Sequence, residues 1–196
     1  MVETYFLLSV IVFFVLAFAI RNIRTYMSTK QSIKGQSAKL TLSIVISTCI
    51  YLLLILRLLL PIPSLFLEFD IAYASYFKYA GFILILIGFV VGVLALVAMK
   101  NSWRVGIKHN QKTDLVTSGV YRISRNPYFF SYDVLVLGFL LVFPSVVLGV
   151  LYLSLVIIFH LMILEEEQYL ERVHGKSYSD YKQRVGRYIT LLKKGI

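Results

Sequence analysis

Charged side chains are scarce in this chain, since Asp, Glu, Lys and Arg together make up 15% of its 196 residues. Hydrophobic residues make up 59%, and the mean hydropathy is +0.79. A soluble domain of this length usually carries about a quarter charged residues. The composition therefore excludes an ordinary soluble domain and predicts an integral membrane protein of the all-α class.

Cysteine is almost absent as well. Cys49 is the only one, so the chain can form neither an internal disulfide nor a metal site made of thiolates, and we expect no metal. The N-terminal stretch MVETYFLL also lacks the basic region that opens a signal peptide. We therefore expect this stretch to begin a first membrane span that is retained.

Long apolar runs dominate the chain. A helix that crosses a bilayer needs about 20 mostly apolar residues, and four runs come close to or exceed that length: residues 5–20, 40–60, 80–99 and 134–164. As one helix the last run would measure about 46 Å, whereas the hydrocarbon core is about 30 Å thick. Because Pro144 and Ser145 lie near its middle, we predict a helical hairpin there, which gives about five transmembrane helices. One tilted, kinked helix is the alternative.

Basic residues are distributed unevenly between the predicted loops. Eighteen of the 20 Lys and Arg residues fall in three segments that the spans place on one side: residues 21–39, 100–127 and 165–196. The positive-inside rule makes that side cytoplasmic, with the N-terminus outside and the C-terminus inside. The net charge of +10 is then a topology signal that also attracts anionic membrane lipids, and we expect no nucleic acid partner.

Three polar side chains interrupt the apolar runs, and polar groups at membrane depth often mark sites. Arg57 lies near an outer helix end, where it can simply extend its charge into water. His160 suits a hydrogen bond within the helix bundle. Asp133 is the better site candidate of the three, because it lies one or two turns inside the fourth predicted span, which as an extended run starts near Tyr128.

The stretch SRNPYFFSYD, residues 124–133, stands where a basic segment meets the fourth predicted span. Pro127 suits the first turn of a helix, where its missing N–H leaves no bond unmade. The unpaired N–H groups of such a helix start favour an anionic group on a ligand. The aromatic residues around it predict either an interfacial belt or a binding pocket.

Three consecutive acids, Glu165 to Glu167, follow the last predicted span on an otherwise basic face. They suit a cationic partner, or they simply continue a solvated helix. Tyr178, Tyr181 and Val185 then recur at helical spacing, which predicts an amphipathic helix lying back on the membrane or on the site.

These segments together resemble the isoprenylcysteine carboxyl methyltransferase family, and more widely the membrane methyltransferases that include phospholipid N-methyltransferases. The resemblance rests on SGVYRISRNPYFFS, residues 118–131, and on the later EE and HGKSYSDYKQRVGRYI. Asn126 replaces a family histidine, which removes a titratable group. Met162 stands where the eukaryotic prenylcysteine enzymes carry an arginine that orients the acceptor carboxylate.

The resemblance implies S-adenosylmethionine as cofactor, although the chain lacks the glycine-rich fingerprint of the soluble methyltransferase fold. The implied cytoplasmic pocket is formed by residues 100–132 and the helical tail. Residues 80–196 would be the catalytic core, and residues 1–79 two N-terminal helices with their loops. The expected cofactor-binding residues are Leu115, Val116, Tyr121, Asn126, Pro127, Tyr128, Phe129 and Glu166.

The implied reaction is methyl ester formation on a lipid-linked carboxylate that enters sideways from the bilayer, through an opening lined by spans three to five. The expected catalytic residues are Glu166, Glu167 and Arg172, with Arg104 and Arg172 as replacements for the missing arginine. Three alternatives stay open. They are aminophospholipid N-methylation with Glu166, Glu167 or Asp133 as base, a related membrane sterol reductase, and a scaffold without activity.

Overall fold

A computed structural model describes residues 1–30, 35, 37–60, 62–70, 72–104, 106 and 114–190. Within these residues the protein is helical and contains no β-strand, as predicted. Short 3-10 helices cover Pro63–Phe66, Lys100–Ser102 and Gly119–Arg122. The α-helices are α1 Val2–Thr29, α2 Ala38–Leu59, α3 Ala74–Met99, α4 Pro127–Val142, α5 Val146–His174 and α6 Lys176–Arg184.

Four helices in the described part of the chain are long and apolar enough to cross a membrane: α1, α2, α3 with the turn that follows it, and α5. The fifth predicted span corresponds to α4, which is apolar but has 16 residues. A helix of that length measures about 24 Å, less than the hydrocarbon core of about 30 Å. Length and composition therefore support four of the five predicted spans.

The long apolar run at residues 134–164 is divided into two helices at Phe143–Ser145. Pro144 cannot continue a helix, and Ser145 caps the start of α5 by accepting a hydrogen bond from the N–H of Leu148 at 3.2 Å. The Ser145 hydroxyl also donates to the carbonyl of Phe66 at 2.6 Å, which ties the break to the loop after α2.

The same loop pairs with Arg57, whose guanidinium is bound there instead of reaching into water. Its guanidinium binds the carboxylate of Glu68, with one N–O distance of 3.0 Å, and lies 4.8 Å from the ring centroid of Phe143. Arg57 therefore stabilises the end of the bundle opposite the basic segments.

Glycines allow α3 and α4 to approach each other very closely. A Cβ atom on Gly81 would lie 2.7 Å from the carbonyl oxygen of Gly138, and one on Gly88 would lie 2.7 Å from the backbone of Leu135. Small residues permit such backbone contact between membrane helices. This packing fixes α4, and with it the Arg-Asn-Pro segment that precedes the helix.

Aromatic contacts connect the start of α4 to its neighbours. The Tyr128 ring stacks on Phe14 and Phe18 of α1 and meets Trp103 edge-on at 5.0 Å. The Trp103 indole N–H donates to the side-chain oxygen of Asn22 at 2.7 Å, which ties the segment after α3 to α1. The aromatic cluster at this end is thus packed inside the bundle.

Candidate functional site

A cavity of about 350 Å³ lies at the basic end of the bundle. Its walls come from α1, α2, α4, α5 and α6, from the end of α3, and from the segment between α3 and α4. Ligand pockets in proteins typically measure about 300–1,000 Å³. The cavity is therefore large enough to bind a small molecule.

Most of the predicted cofactor-binding residues converge on this cavity, although they come from three separate parts of the chain. Pro127 is buried in the first turn of α4 and is not among the lining residues. The seven that line the cavity are Leu115, Val116, Tyr121, Asn126, Tyr128, Phe129 and Glu166.

Glu166 presents a carboxylate to the cavity. The side chain is half-buried, and none of the ion pairs between described residues involves it. Burial raises the pKa of the nearby Tyr121 phenol, and the negative charge of Glu166 raises that pKa further. The Tyr121 hydroxyl therefore stays protonated beside a carboxylate that can attract a cation.

Glu167 has a different position, although it is the next residue. Its buried carboxylate binds the guanidinium of Arg125 at 2.8 Å and that of Arg187 at 2.9 Å. It also accepts a hydrogen bond from the side-chain amide of Asn126 at 3.3 Å. Glu167 does not line the cavity. In this geometry it clamps the segment before α4 to α5 and to the C-terminal tail.

The C-terminal tail extends this clamp over the site. Gly175, at φ 51°, turns the chain from α5 into α6. The Tyr181 hydroxyl of α6 then donates to the carbonyl of Tyr121 at 2.6 Å. Further along, the backbone N–H of Thr190 donates to the carbonyl of Ile123 at 2.8 Å. α6 thus contributes Tyr178 and Tyr181 to the wall of the cavity, and the tail after it holds the segment before α4 in place.

On the side of the cavity near Glu166, two buried polar atoms lack a hydrogen-bond partner in the described part of the chain: the Tyr178 hydroxyl and Nε of Arg125. Both residues line the cavity. Buried polar groups are nearly always hydrogen-bonded, so unpaired ones favour a polar ligand. Together with Glu166, they suit a ligand that carries both hydrogen-bonding and cationic groups.

The remaining candidates lie in different places. Arg172 is exposed, and its Nε donates to the carbonyl of Gln168 at 3.4 Å, so its predicted catalytic role stays untested. Arg104 and Met162 line the cavity. Asp133 does not, and the His160 ring is hydrogen-bonded to Tyr188 of the tail after α6, not to another helix of the bundle as expected.

The prediction that spans three to five line the lipid opening is incomplete, because α1 and α2 contribute many of the lining residues. On α2 these include Ser43, Ser47 and Tyr51, which recur every four residues. This polar periodicity in an apolar helix is a signal that sequence reasoning could have used and did not.

Comparison with known proteins agrees with this geometry. The family model described as phospholipid methyltransferase matches residues 77–177. No curated protein sequence matches the chain.

A solved structure of the eukaryotic intramembrane Ras methyltransferase ICMT (isoprenylcysteine carboxyl methyltransferase) is similar in fold, with a TM-score of 0.55 at 21% sequence identity. The similarity covers 81% of this chain and 54% of that one, so the chain spans about half the length of the protein it matches. The family match, by contrast, extends over more than half of this chain. The chain therefore belongs to the phospholipid methyltransferase family.

Proposed function

We propose that the protein is an S-adenosylmethionine-dependent methyltransferase that modifies a lipid in the membrane. The observation that carries this proposal is a single cavity with two chemically different ends. One end holds Glu166, Tyr178 and Arg125, and the other passes between α1, α2, α4 and α5. Such a cavity brings a polar cofactor and an apolar acceptor to the same place.

The polar end fits the cofactor by its chemistry. Bound there, S-adenosylmethionine supplies an electrophilic methyl group. The carboxylate of Glu166 would favour its positive charge, and Leu115 and Val116 would cover its adenine. The Tyr178 hydroxyl and Nε of Arg125 would gain the hydrogen-bond partners that the described residues do not provide.

The apolar end suits a lipid tail. Val15 of α1 and Ile44 of α2 line the cavity and are 42% and 39% exposed, which supports an opening sideways between these helices. A hydrocarbon tail prefers the bilayer to water, and this opening would let it enter without leaving the membrane. By the positive-inside rule, the polar end would face the cytoplasm.

The acceptor that the site suits best is a lipid-linked carboxylate, such as a prenylcysteine. A carboxylate is ionised near neutral pH and needs no general base, which agrees with Asn126 in the family histidine position. Arg104 lines the cavity and would orient the carboxylate in place of the arginine that Met162 replaces. Positioning would then supply most of the rate enhancement.

Aminophospholipid N-methylation is the second candidate, and the position of Glu166 favours it. An ammonium group must lose a proton before it can attack a methyl group, so this reaction needs a base. The Glu166 carboxylate lines the cavity and forms no salt bridge with a described residue. It could therefore accept that proton.

Transfer of radiolabelled methyl groups from S-adenosylmethionine separates these candidates. The purified protein, in vesicles, would receive either a farnesylcysteine derivative or phosphatidylethanolamine. Base-labile label in the first identifies ester formation, whereas base-stable label in the second identifies N-methylation. A protein that binds no cofactor and labels neither lipid is a scaffold, which contradicts the proposal.

A further inference from the structure

Three hydroxyl-bearing side chains lie together at the apolar end of the cavity. A hydrocarbon tail bound there could form no hydrogen bonds with them. Ser47 and Tyr51 of α2 and Tyr132 of α4 all line the cavity. The rings of Tyr51 and Tyr132 meet edge-on, with their centroids 5.9 Å apart. We refer to these three residues as the hydroxyl cluster.

One hydroxyl of this cluster, that of Tyr132, is buried without a good hydrogen-bond partner in the described part of the chain. The residue is 4% exposed, and its oxygen forms no hydrogen bond of good geometry with any described residue. The side chains of Ser47 and Tyr51 lie close enough to interact with it. A buried hydroxyl without a good partner is unfavourable, and more so in a site from which lipid excludes water.

The hydroxyl cluster lies beside the part of α5 that precedes Glu166. Phe159 packs against Tyr132 with ring centroids 5.5 Å apart, and it precedes Glu166 by seven residues on α5. Seven residues of helix correspond to about 10 Å along the axis. Tyr132 therefore packs against a part of α5 that lies about 10 Å along the helix from Glu166.

We infer that the hydroxyl cluster is a subsite for an oxygen atom carried by the lipid acceptor, deeper in the cavity than the end at which the cofactor would bind. The inference rests on the proposed function and narrows its substrate class. An acceptor with an ester or a hydroxyl at that depth fits the cavity better than a purely hydrocarbon tail. The ester and the hydroxyl offer the same chemistry, because each has an oxygen that can accept a hydrogen bond from the Tyr132 hydroxyl.

Lipid binding can be measured without turnover, because Trp103 is the only tryptophan and lines the cavity. The fluorescence of the detergent-solubilised 196-residue chain would be followed while the members of two matched pairs of probes are added. One pair is stearic acid and a stearic acid with a mid-chain hydroxyl. The other is a monoacyl lysophosphatidylethanolamine and its alkyl ether analogue, which lacks the ester carbonyl.

We expect the wild-type protein to bind the oxygen-bearing member of at least one pair about threefold to tenfold more tightly, as one additional hydrogen bond allows. The pair that shows the preference identifies whether the bound oxygen belongs to a hydroxyl or to an ester. Tyr132→Phe should abolish the preference without weakening the plain probe. Tyr152→Phe is the matched control, since it removes a hydroxyl from the bundle outside the lining residues, and it should keep the preference.

Equal affinities within both pairs in the wild-type protein would overturn the inference. So would a Tyr132→Phe variant that weakens both members of a pair alike, because the tyrosine would then serve packing alone. Calorimetry with S-adenosylhomocysteine on the same samples separates the two proposals. If S-adenosylhomocysteine does not bind, the methyltransferase proposal fails. The fluorescence titration still measures the lipid preference independently.

Discussion

Replacing Glu167 by alanine should destabilise the protein much more than replacing either neighbouring glutamate. Its carboxylate is 6% exposed and faces Arg125, which is 7% exposed. Removing one partner of a buried ion pair typically costs about 3–5 kcal/mol, because the other charge stays buried without compensation. We expect a loss near the lower end of that range, since the second partner, Arg187, is 34% exposed and can be hydrated.

The assay is denaturant-induced unfolding in detergent micelles, followed by tryptophan fluorescence. Glu165→Ala is the matched control. Its partner Lys39 is 38% exposed and Glu165 itself 44%, so losing this pair should change the unfolding free energy by less than about 1 kcal/mol. A Glu167→Gln, Arg125→Met double variant should recover part of the loss, because no buried charge is left unpaired. Glu167→Ala at control stability, with cofactor binding abolished, would refute the clamp and place this carboxylate in the site itself.

Three further predictions concern pH, packing and the acceptor. Burial raises the pKa of Tyr121 and Tyr178 above the ordinary value of 10.0, so their contribution to stability is complete below about pH 10 and is lost as the pH rises further. Measuring the unfolding free energy at several alkaline pH values tests this loss, and a stability that stays unchanged far above pH 10 would contradict it. Gly88→Ala should cost about 1–3 kcal/mol because the new methyl group meets the α4 backbone at 2.7 Å, whereas Gly149→Ala has 4.0 Å of space and should not destabilise; equal melting temperatures would refute the close contact. Arg104→Gln should raise the KM of a carboxylate acceptor about tenfold or more while leaving cofactor affinity unchanged, and an unchanged KM would exclude Arg104 as the orienting residue.

The helices were largely predictable from hydrophobic runs, whereas their ends were not. The first predicted run stops at Ile20 because Arg21 is charged, yet α1 continues to Thr29. Arg and Asn at the water interface do not end a helix. The last run stops at Leu164, whereas α5 continues to His174 and ends at Gly175, which adopts φ 51°. Backbone conformation, not charge, determines where this helix stops.

The lining of the cavity was predictable where neighbouring residues act together, as in the segment around Asn126. The contacts of Glu167 were not, because they include Arg187, which lies 20 residues further on and is brought back by the turn at Gly175. The contribution of α2 was missed for a related reason. Ser47 and Tyr51 resemble ordinary membrane-helix residues until α4 places Tyr132 beside them.

The most direct test of the proposed cofactor site is calorimetric binding of S-adenosylhomocysteine to the detergent-purified protein, with Glu166→Ala and Glu165→Ala measured in parallel. We predict micromolar binding to the wild-type protein and to Glu165→Ala, and its loss in Glu166→Ala at unchanged melting temperature. No binding to the wild-type protein at high ligand concentration, or equal binding to all three proteins, would contradict a cofactor site built around Glu166.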